Sequence, residues 1–254
     1  MKLLEIKNLE CKFQDGTTAL KGINFSVNKG DFIVIAGKNG SGKTVLLRHL
    51  NGLYTPTKGE ILFKGVSLKK QIRKVRQNVG LVFQNADSQI VSQTVWDDTA
   101  FGPLNLHLSK DEIKRRVSES LKSVGMFNFK DHNPHKLSGG EKRKLAIAGI
   151  LAMNTSIILL DEPFSNLDYP GIVDIINQII NLHKKGHTII CVTHEIEKIL
   201  YHANRFIIMQ DGYMRENSTP AEVLKNIHKY NIFPPLNPKG KDIKDQLSKM
   251  TWLN

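Results

Sequence analysis

Cysteine is nearly missing from this chain: Cys11 and Cys191 are the two in 254 residues. Both sit in apolar, strand-like stretches, so buried free thiols in a reducing compartment are expected, which argues against a disulfide-stapled fold. Long apolar runs are lacking too. No stretch reaches the roughly 18–20 residues that cross a bilayer as a helix, and Met1-Lys2-Leu3-Leu4-Glu5 carries an acid too early for a secretory signal. The chain is expected neither to span a membrane nor to be exported. Aromatics are sparse, and the densest basic runs, Lys69-Lys70-Gln71-Ile72-Arg73-Lys74-Val75-Arg76 and Lys142-Arg143-Lys144, have none interleaved. A base-stacking groove would want them. Acids are the scarcer charge, 24 against 36 Lys and Arg, for a formal net charge of +12. Such a surface attracts nucleic acid or anionic headgroups. The missing aromatics favour a solvated or membrane-facing surface, and no specific nucleic acid is expected as partner.

What is present is a large α/β pattern. A chain of 254 residues forms one large domain or two small ones with a substantial core. Residues 3–9, 23–27, 32–36 and 59–65 read as strands separated by turns at Asp15-Gly16 and Lys29-Gly30. Residues 111–124 read as a helix, with Ser109 in the N-cap position. Apolar strands return at 79–83, 156–160, 188–192 and 205–209, with a helix at 171–183 among them. This is doubly wound order, which places active groups at the carboxyl ends of the strands. Pro234-Pro235 and Pro238 mark a linker, and residues 242–250 a short amphipathic helix.

Between the strand Phe32-Ile33-Val34-Ile35-Ala36 and a helical pattern starting at Val45 stands Gly37-Lys38-Asn39-Gly40-Ser41-Gly42-Lys43-Thr44. This is G-x-x-x-x-G-K-[ST]: the glycines let backbone N–H groups turn inward around phosphate oxygens, Lys43 neutralises charge, and Thr44 offers a hydroxyl to Mg²⁺. The helix N-terminus behind it favours the same anion. Lys38, Asn39, Gly40, Ser41, Gly42, Lys43, Thr44 and Val45 are therefore candidate nucleotide ligands.

Downstream, Ile157-Ile158-Leu159-Leu160-Asp161-Glu162 ends an apolar strand in two carboxylates. Beside a phosphate loop, one acid can hold hydrated Mg²⁺ and the other can orient or deprotonate the attacking water; Asp161 suits the first role and Glu162 the second. His194 follows the next strand and should emerge at the same sheet edge, where an imidazole can hydrogen-bond a γ-phosphate and hold the water geometry. Gln84 follows the strand at 79–83. Its amide could ligate Mg²⁺, approach the water, or be a strand-end residue without function. His132 and His135, flanking Asn133-Pro134, read as loop surface rather than a metal pair.

Taken together these segments resemble the ATP-binding subunit of an ATP-binding cassette (ABC) transporter over residues 3–225. Gly37 to Thr44 resembles the Walker A loop, Ile157 to Glu162 Walker B, Gln84 the Q-loop, Ser165-Asn166-Leu167-Asp168 the D-loop and His194 the switch histidine. Leu137-Ser138-Gly139-Gly140-Glu141 resembles the family signature, and Phe13 the aromatic, usually tyrosine, that stacks on adenine. The resemblance implies a phosphate-loop NTPase core with a mainly parallel sheet, an antiparallel β layer and a helical signature subdomain at about 86–150. Residues 1–230 would form this domain and 231–254 an appended linker and tail. It also implies ATP and Mg²⁺ as cofactors, a place at the cytoplasmic face of the membrane, and catalytic roles for Lys43, Gln84, Glu162 and His194.

In that family Ser138, Gly139 and Gly140 form a second anion site that closes over ATP held by the opposite subunit. The implied partners are a second ATPase subunit, identical or paralogous, a transmembrane coupling subunit and a substrate-binding membrane subunit. Gln84-Asn85-Ala86-Asp87-Ser88-Gln89-Ile90 and Thr94-Val95-Trp96-Asp97-Asp98-Thr99-Ala100-Phe101-Gly102 resemble the energy-coupling factor group, which takes up metal ions or vitamins. Ala86, Trp96 and Thr99 depart from its proline, acid and valine, and Asn166 and Lys144 from common family choices. The rival expectation is a soluble ABC ATPase without a transporter, such as an iron–sulfur assembly or nucleic-acid-associated ATPase.

Overall fold

The computed structural model describes residues 1–232 and 247–253. The linker prolines at 234, 235 and 238 and residues 242–246 of the expected tail helix lie outside them. Its centre is a six-stranded sheet in the order β10-β9-β3-β8-β7-β6. These strands are β3 Phe32–Ala36, β6 Val79–Val82, β7 Ile157–Asp161, β8 Thr188–Val192, β9 Arg205–Gln210 and β10 Tyr213–Ser218. β6, β7, β8, β3 and β9 run parallel, and β10 turns back antiparallel on β9. A second, antiparallel sheet has the order β2-β1-β4-β5, built from β1 Lys2–Lys12, β2 Thr18–Asn28, β4 Lys58–Phe63 and β5 Val66–Ser67.

Strand alternation divides the core in two. On β3, Ile33 and Ile35 point into one apolar cluster with Leu4, Leu20 and Phe63 of the antiparallel sheet and Leu46, Leu47 and Leu50 of α1 Lys43–Leu50. Phe32, Val34 and Ala36 point the other way, into a cluster shared with the helices. Those helices include α3 Val95–Asn105, α4 Lys110–Ser123, α5 Gly139–Ala152 and α6 Tyr169–Lys184; α2 Ile72–Asn78 precedes β6, and α7 Pro220–Leu224 follows β10. Because side chains alternate across a strand, a fully apolar central strand is buried on both faces. β3 shows this throughout, and β7 and β8 do so apart from their terminal Asp161 and Thr188, with every residue of the three strands buried. Cys11 and Cys191 are buried free thiols.

The expected helix at 111–124 is α4, and Ser109 caps it by accepting from Glu112 N at 3.3 Å. The helix expected at 171–183 starts two residues earlier, because Asp168 is its N-cap and accepts from Gly171 N at 3.0 Å. Thr99, where the energy-coupling pattern has valine, is fully buried in α3 yet satisfied, its hydroxyl donating to Val95 O at 2.8 Å. Lys144, in place of the common arginine, reaches Asp174 on α6 at 2.6 Å. Among the described residues no helix is long and apolar enough to cross a membrane.

Candidate nucleotide site

Four of the parallel strands, β3, β6, β7 and β8, deliver their carboxyl ends to one edge, and the chemistry collects there. A cleft of about 530 Å³ is lined by Phe13, Lys43, Thr44, Gln84, Glu162 and His194 among others. The phosphate loop turns as its glycines require. Gly42 has φ +98°, and a Cβ there would stand 2.5 Å from the carbonyl oxygen of Ala19. At Gly37 it would stand 2.1 Å from the carbonyl oxygen of Met209.

Lys43 is buried, and its Nζ donates to Gly37 O at 2.7 Å and Lys38 O at 3.0 Å. Burial pulls its pKa down, while the nearby Glu162 and Asp161 carboxylates work against that shift. The Ser41 hydroxyl is buried with no hydrogen-bond partner. Such an orphan calls for explanation, and a polar ligand in the loop supplies one. Thr44 and Asp161 are 117 positions apart in sequence, yet the threonine hydroxyl donates to Asp161 Oδ1 at 2.9 Å. Burial is the main cause raising the Asp161 carboxyl pKa, opposed by the Thr44 hydrogen bond.

Glu162 follows the end of β7 in the left-handed region, φ +46°. For a non-glycine residue this costs on the order of 1–3 kcal/mol and is characteristic of functional positions. The turn is held by Glu162 N donating to Val192 O at 2.9 Å. It presents a carboxylate whose Oε2 lies 2.9 Å from His194 Nδ1 and accepts from His194 N at 3.3 Å. The carboxylate is buried, its side chain 8% exposed, whereas the imidazole is 58% exposed. One partner is thus fixed and the other accessible. Gln84 reaches the cleft wall just after Phe83, whose carbonyl oxygen accepts from the buried Arg143 at 2.6 Å.

Phe13 presents its ring to the cleft, 37% exposed. Tyr54, which sequence reasoning missed, stands edge-on to it at 6.1 Å and is held by Arg48 Nη1 donating to its hydroxyl at 2.8 Å. Nothing in the spacing of Tyr54 could have pointed to this, since the contact joins the loop before β2 to the turn after α1. Ser138, Gly139 and Gly140 are not brought to the cleft. They line a separate cavity of about 480 Å³ with Asn166, Leu167 and Asp168. One chain therefore displays a phosphate loop and a signature that do not face each other in a common cavity.

A family profile described as ABC transporter matches residues 20–165. The chain is a member of the ABC transporter family. It is 48% identical over 230 residues to the energy-coupling factor transporter ATP-binding protein EcfA of Methanocaldococcus jannaschii, covering 89% of this chain and 82% of that one. To the EcfA protein of Methanococcus maripaludis it is 45% identical over 229 residues, with coverage of 89% and 82%. Among solved structures, CbiO1 of Clostridium perfringens, part of the ABC transporter complex cbiONQ, superposes with a TM-score of 0.81. It is 37% identical, over 92% of this chain and 96% of that one. The ATP-binding cassette MJ0796, solved as a dimer in a post-hydrolysis state with ADP and Pi, has a TM-score of 0.77 and 30% identity. That match covers 86% of this chain and 99% of the cassette. The expected fold is confirmed: parallel nucleotide-binding core, antiparallel layer and signature helices.

Proposed function

We propose that the cleft binds ATP and that Glu162 and His194 hydrolyse it. The chain then serves as the ATPase subunit of an energy-coupling factor type transporter. The observation that carries this is the Glu162–His194 contact of 2.9 Å in the same cleft as Lys43 and Thr44. Phe13 offers a face for the adenine ring. Residues 38–45 cradle the phosphates, with Lys43 placed against their charge.

Thr44, Asp161 and Gln84 offer the hydroxyl, carboxylate and amide oxygens that suit Mg²⁺. When bound with ATP, Mg²⁺ would neutralise charge on the phosphates. Glu162 accepts the proton of the attacking water as its oxygen bonds to the γ-phosphorus and the bond to the ADP oxygen breaks. His194 holds the γ-phosphate and the water in line. The buried Glu162 carboxylate is oriented for this by its two hydrogen-bonding contacts with His194.

The separate cavity at Ser138 supports a site shared between two chains, as the family resemblance implies, with an identical or paralogous partner. Transmembrane coupling and substrate-binding subunits complete the assembly, which would hold this subunit at the cytoplasmic face of the membrane. The cargo would be a micronutrient, a metal ion or a vitamin. Residues 1–230 act as the ATPase unit and 231–254 as its tail. Glu162→Gln tests the chemistry. It should keep ATP binding and lower turnover by about 10²–10⁴, the usual cost of losing a general base. Hydrolysis near wild type would refute the assignment. Membrane subunits co-purifying with the native chain would separate this reading from a soluble ABC ATPase.

A further inference from the structure

Lys198 is a buried cation, 4% exposed, in the segment that leads away from His194. It makes an ion pair with Glu195, the residue immediately after the histidine. Its ammonium also lies 4.5 Å from the centroid of the Trp252 ring and 5.8 Å from that of Phe164. A buried charge needs partners, and a desolvated cation over an aromatic face is stabilised by the ring quadrupole. Lys198 draws these partners from three parts of the chain: its own turn, the loop after Glu162, and the carboxy-terminal segment.

That segment is seated by several contacts besides. Tyr201 N donates to Met250 O at 3.1 Å, and His202 Nε2 lies 2.9 Å from Thr251 Oγ1. Met250 is buried in the cluster that packs beneath the sheet. The Trp252 ring also meets Tyr169, the first residue of α6, at 5.4 Å. Trp252 therefore touches the segment after β8, which carries His194, and the segment after β7, which carries Glu162. These two segments must keep the 2.9 Å contact between Glu162 and His194. Glu195 is itself pinned beside the pair, its N–H donating to Thr193 Oγ1 at 3.0 Å.

We infer that the carboxy-terminal segment is a positioning element of the hydrolytic site: Trp252, through Lys198 and Glu195, holds His194 in register with Glu162. This deepens the proposed function and rests on its reading of the pair. Trp252 touches neither nucleotide-lining residue itself, so it is a positioning residue. Its removal should leave ATP capture intact and slow the chemical step.

The test is steady-state ATPase kinetics of the full-length chain. Trp252→Ala should lower kcat by about 10- to 100-fold, the scale of a small misplacement of reacting groups, with KM for ATP unchanged. Trp252→Phe, which keeps an aromatic face for the ammonium, should restore most of kcat. Trp252→Leu, apolar but without that face, should not, and Lys198→Met should behave like Trp252→Leu. Wild-type kcat in the alanine and leucine variants overturns the inference. So does a phenylalanine variant no better than leucine, or a loss carried by KM alone, which would make the contact merely structural. Should Trp252→Ala fail to fold, the phenylalanine–leucine pair decides. Glu162→Gln separates the two failures. Turnover persisting in that variant sinks the reading of the pair, whereas a dead Glu162→Gln beside fully active Trp252 variants sinks only the positioning role.

Discussion

Helices α1 and α5 both begin at glycine-containing loops, yet their first turns are finished differently. α1 starts at Gly42, with φ +98°, no side-chain cap and no acid in its first turn. α5 starts at Ser138 in an extended conformation, closed by a capping box with Glu141. There Ser138 N and Oγ each stand 2.8 Å from Glu141 Oε2, and Glu141 N donates to Ser138 Oγ at 3.3 Å. A helix start leaves orphan N–H donors and a positive dipole end. At α1 no side-chain cap answers them among the described residues, which suits the proposed anion site. At α5 the Glu141 carboxylate accepts from Ser138 N and Oγ, and the Ser138 hydroxyl accepts from Glu141 N, so an arriving phosphate must compete with Glu141 for the serine. On the proposed function, the first half of the site captures nucleotide alone and the second engages when a partner presents it.

The largest effect expected from this asymmetry is all-or-none. Lys43→Ala and Ser138→Arg should each abolish ATP hydrolysis, for opposite reasons. Mixing the two proteins under conditions that allow subunit exchange should return part of the activity, since one site of a heterodimer then has an intact Lys43 facing an intact Ser138. No recovery after demonstrated exchange would mean that both sites must be intact or that the halves do not belong to different chains. A cysteine pair at Ser41 and Ser138 then decides, by whether an ATP-dependent crosslink forms between chains.

A second contrast is steric. Gly42→Ala would drive a Cβ to 2.5 Å from a backbone oxygen at φ +98°, whereas the Cβ of Gly140→Ala would find its nearest neighbour at 3.7 Å, an ordinary contact. The first should destabilise the chain by about 1–3 kcal/mol and lose ATP binding. The second should leave thermal stability and single-chain ATP affinity as they are. Calorimetric titration with ATP and thermal melts would read both, and equal behaviour of the two variants would erase the distinction.

Phe13→Ala should weaken ATP binding by about 1 kcal/mol through lost stacking, while Phe13→Tyr stays near wild type. Fluorescent-nucleotide competition measures this, and unchanged affinity in the alanine variant would assign Phe13 to packing. The smallest effect is expected at Glu141→Gln. The amide preserves the capping box but removes the charge, costing about 0.3–1 kcal/mol of helix-dipole stabilisation. It should tighten the ATP-driven dimer, because the phosphate no longer faces a carboxylate. Sedimentation of the dimer with ATP would reverse this picture if Glu141→Gln weakened it.

The contrast also explains which parts were legible. The phosphate loop is contiguous, and its glycines, Lys43 and Thr44 act through backbone geometry set within a few residues. Asp161, Glu162 and His194 were legible because each ends or closely follows an apolar strand, and parallel strands share one active edge. Ser138 and Glu141 are three apart, the spacing at which a helix start closes on itself. Tyr54 was not legible, since its contact with Phe13 crosses 41 positions and no motif joins them. Nor was β10, whose residues alternate between exposed and intermediate burial and whose pairing to β9 is visible only in the sheet.

The sequence by itself determined the candidate chemistry: a proposed nucleotide site with its phosphate loop, its two carboxylates and its histidine, and a signature proposed to serve a second chain. Each of these depends on short-range backbone hydrogen bonding and on strand periodicity. Tertiary structure alone decided the strand order that sets β8 between β3 and β7, and with it the approach of Thr44 to Asp161 and of Glu162 to His194. It alone decided that Lys198 is buried against Trp252, 54 positions away. Those contacts arise from burying two faces of one sheet at once, and the partner a side chain meets across such a core depends on the whole chain's packing rather than on its neighbours in sequence.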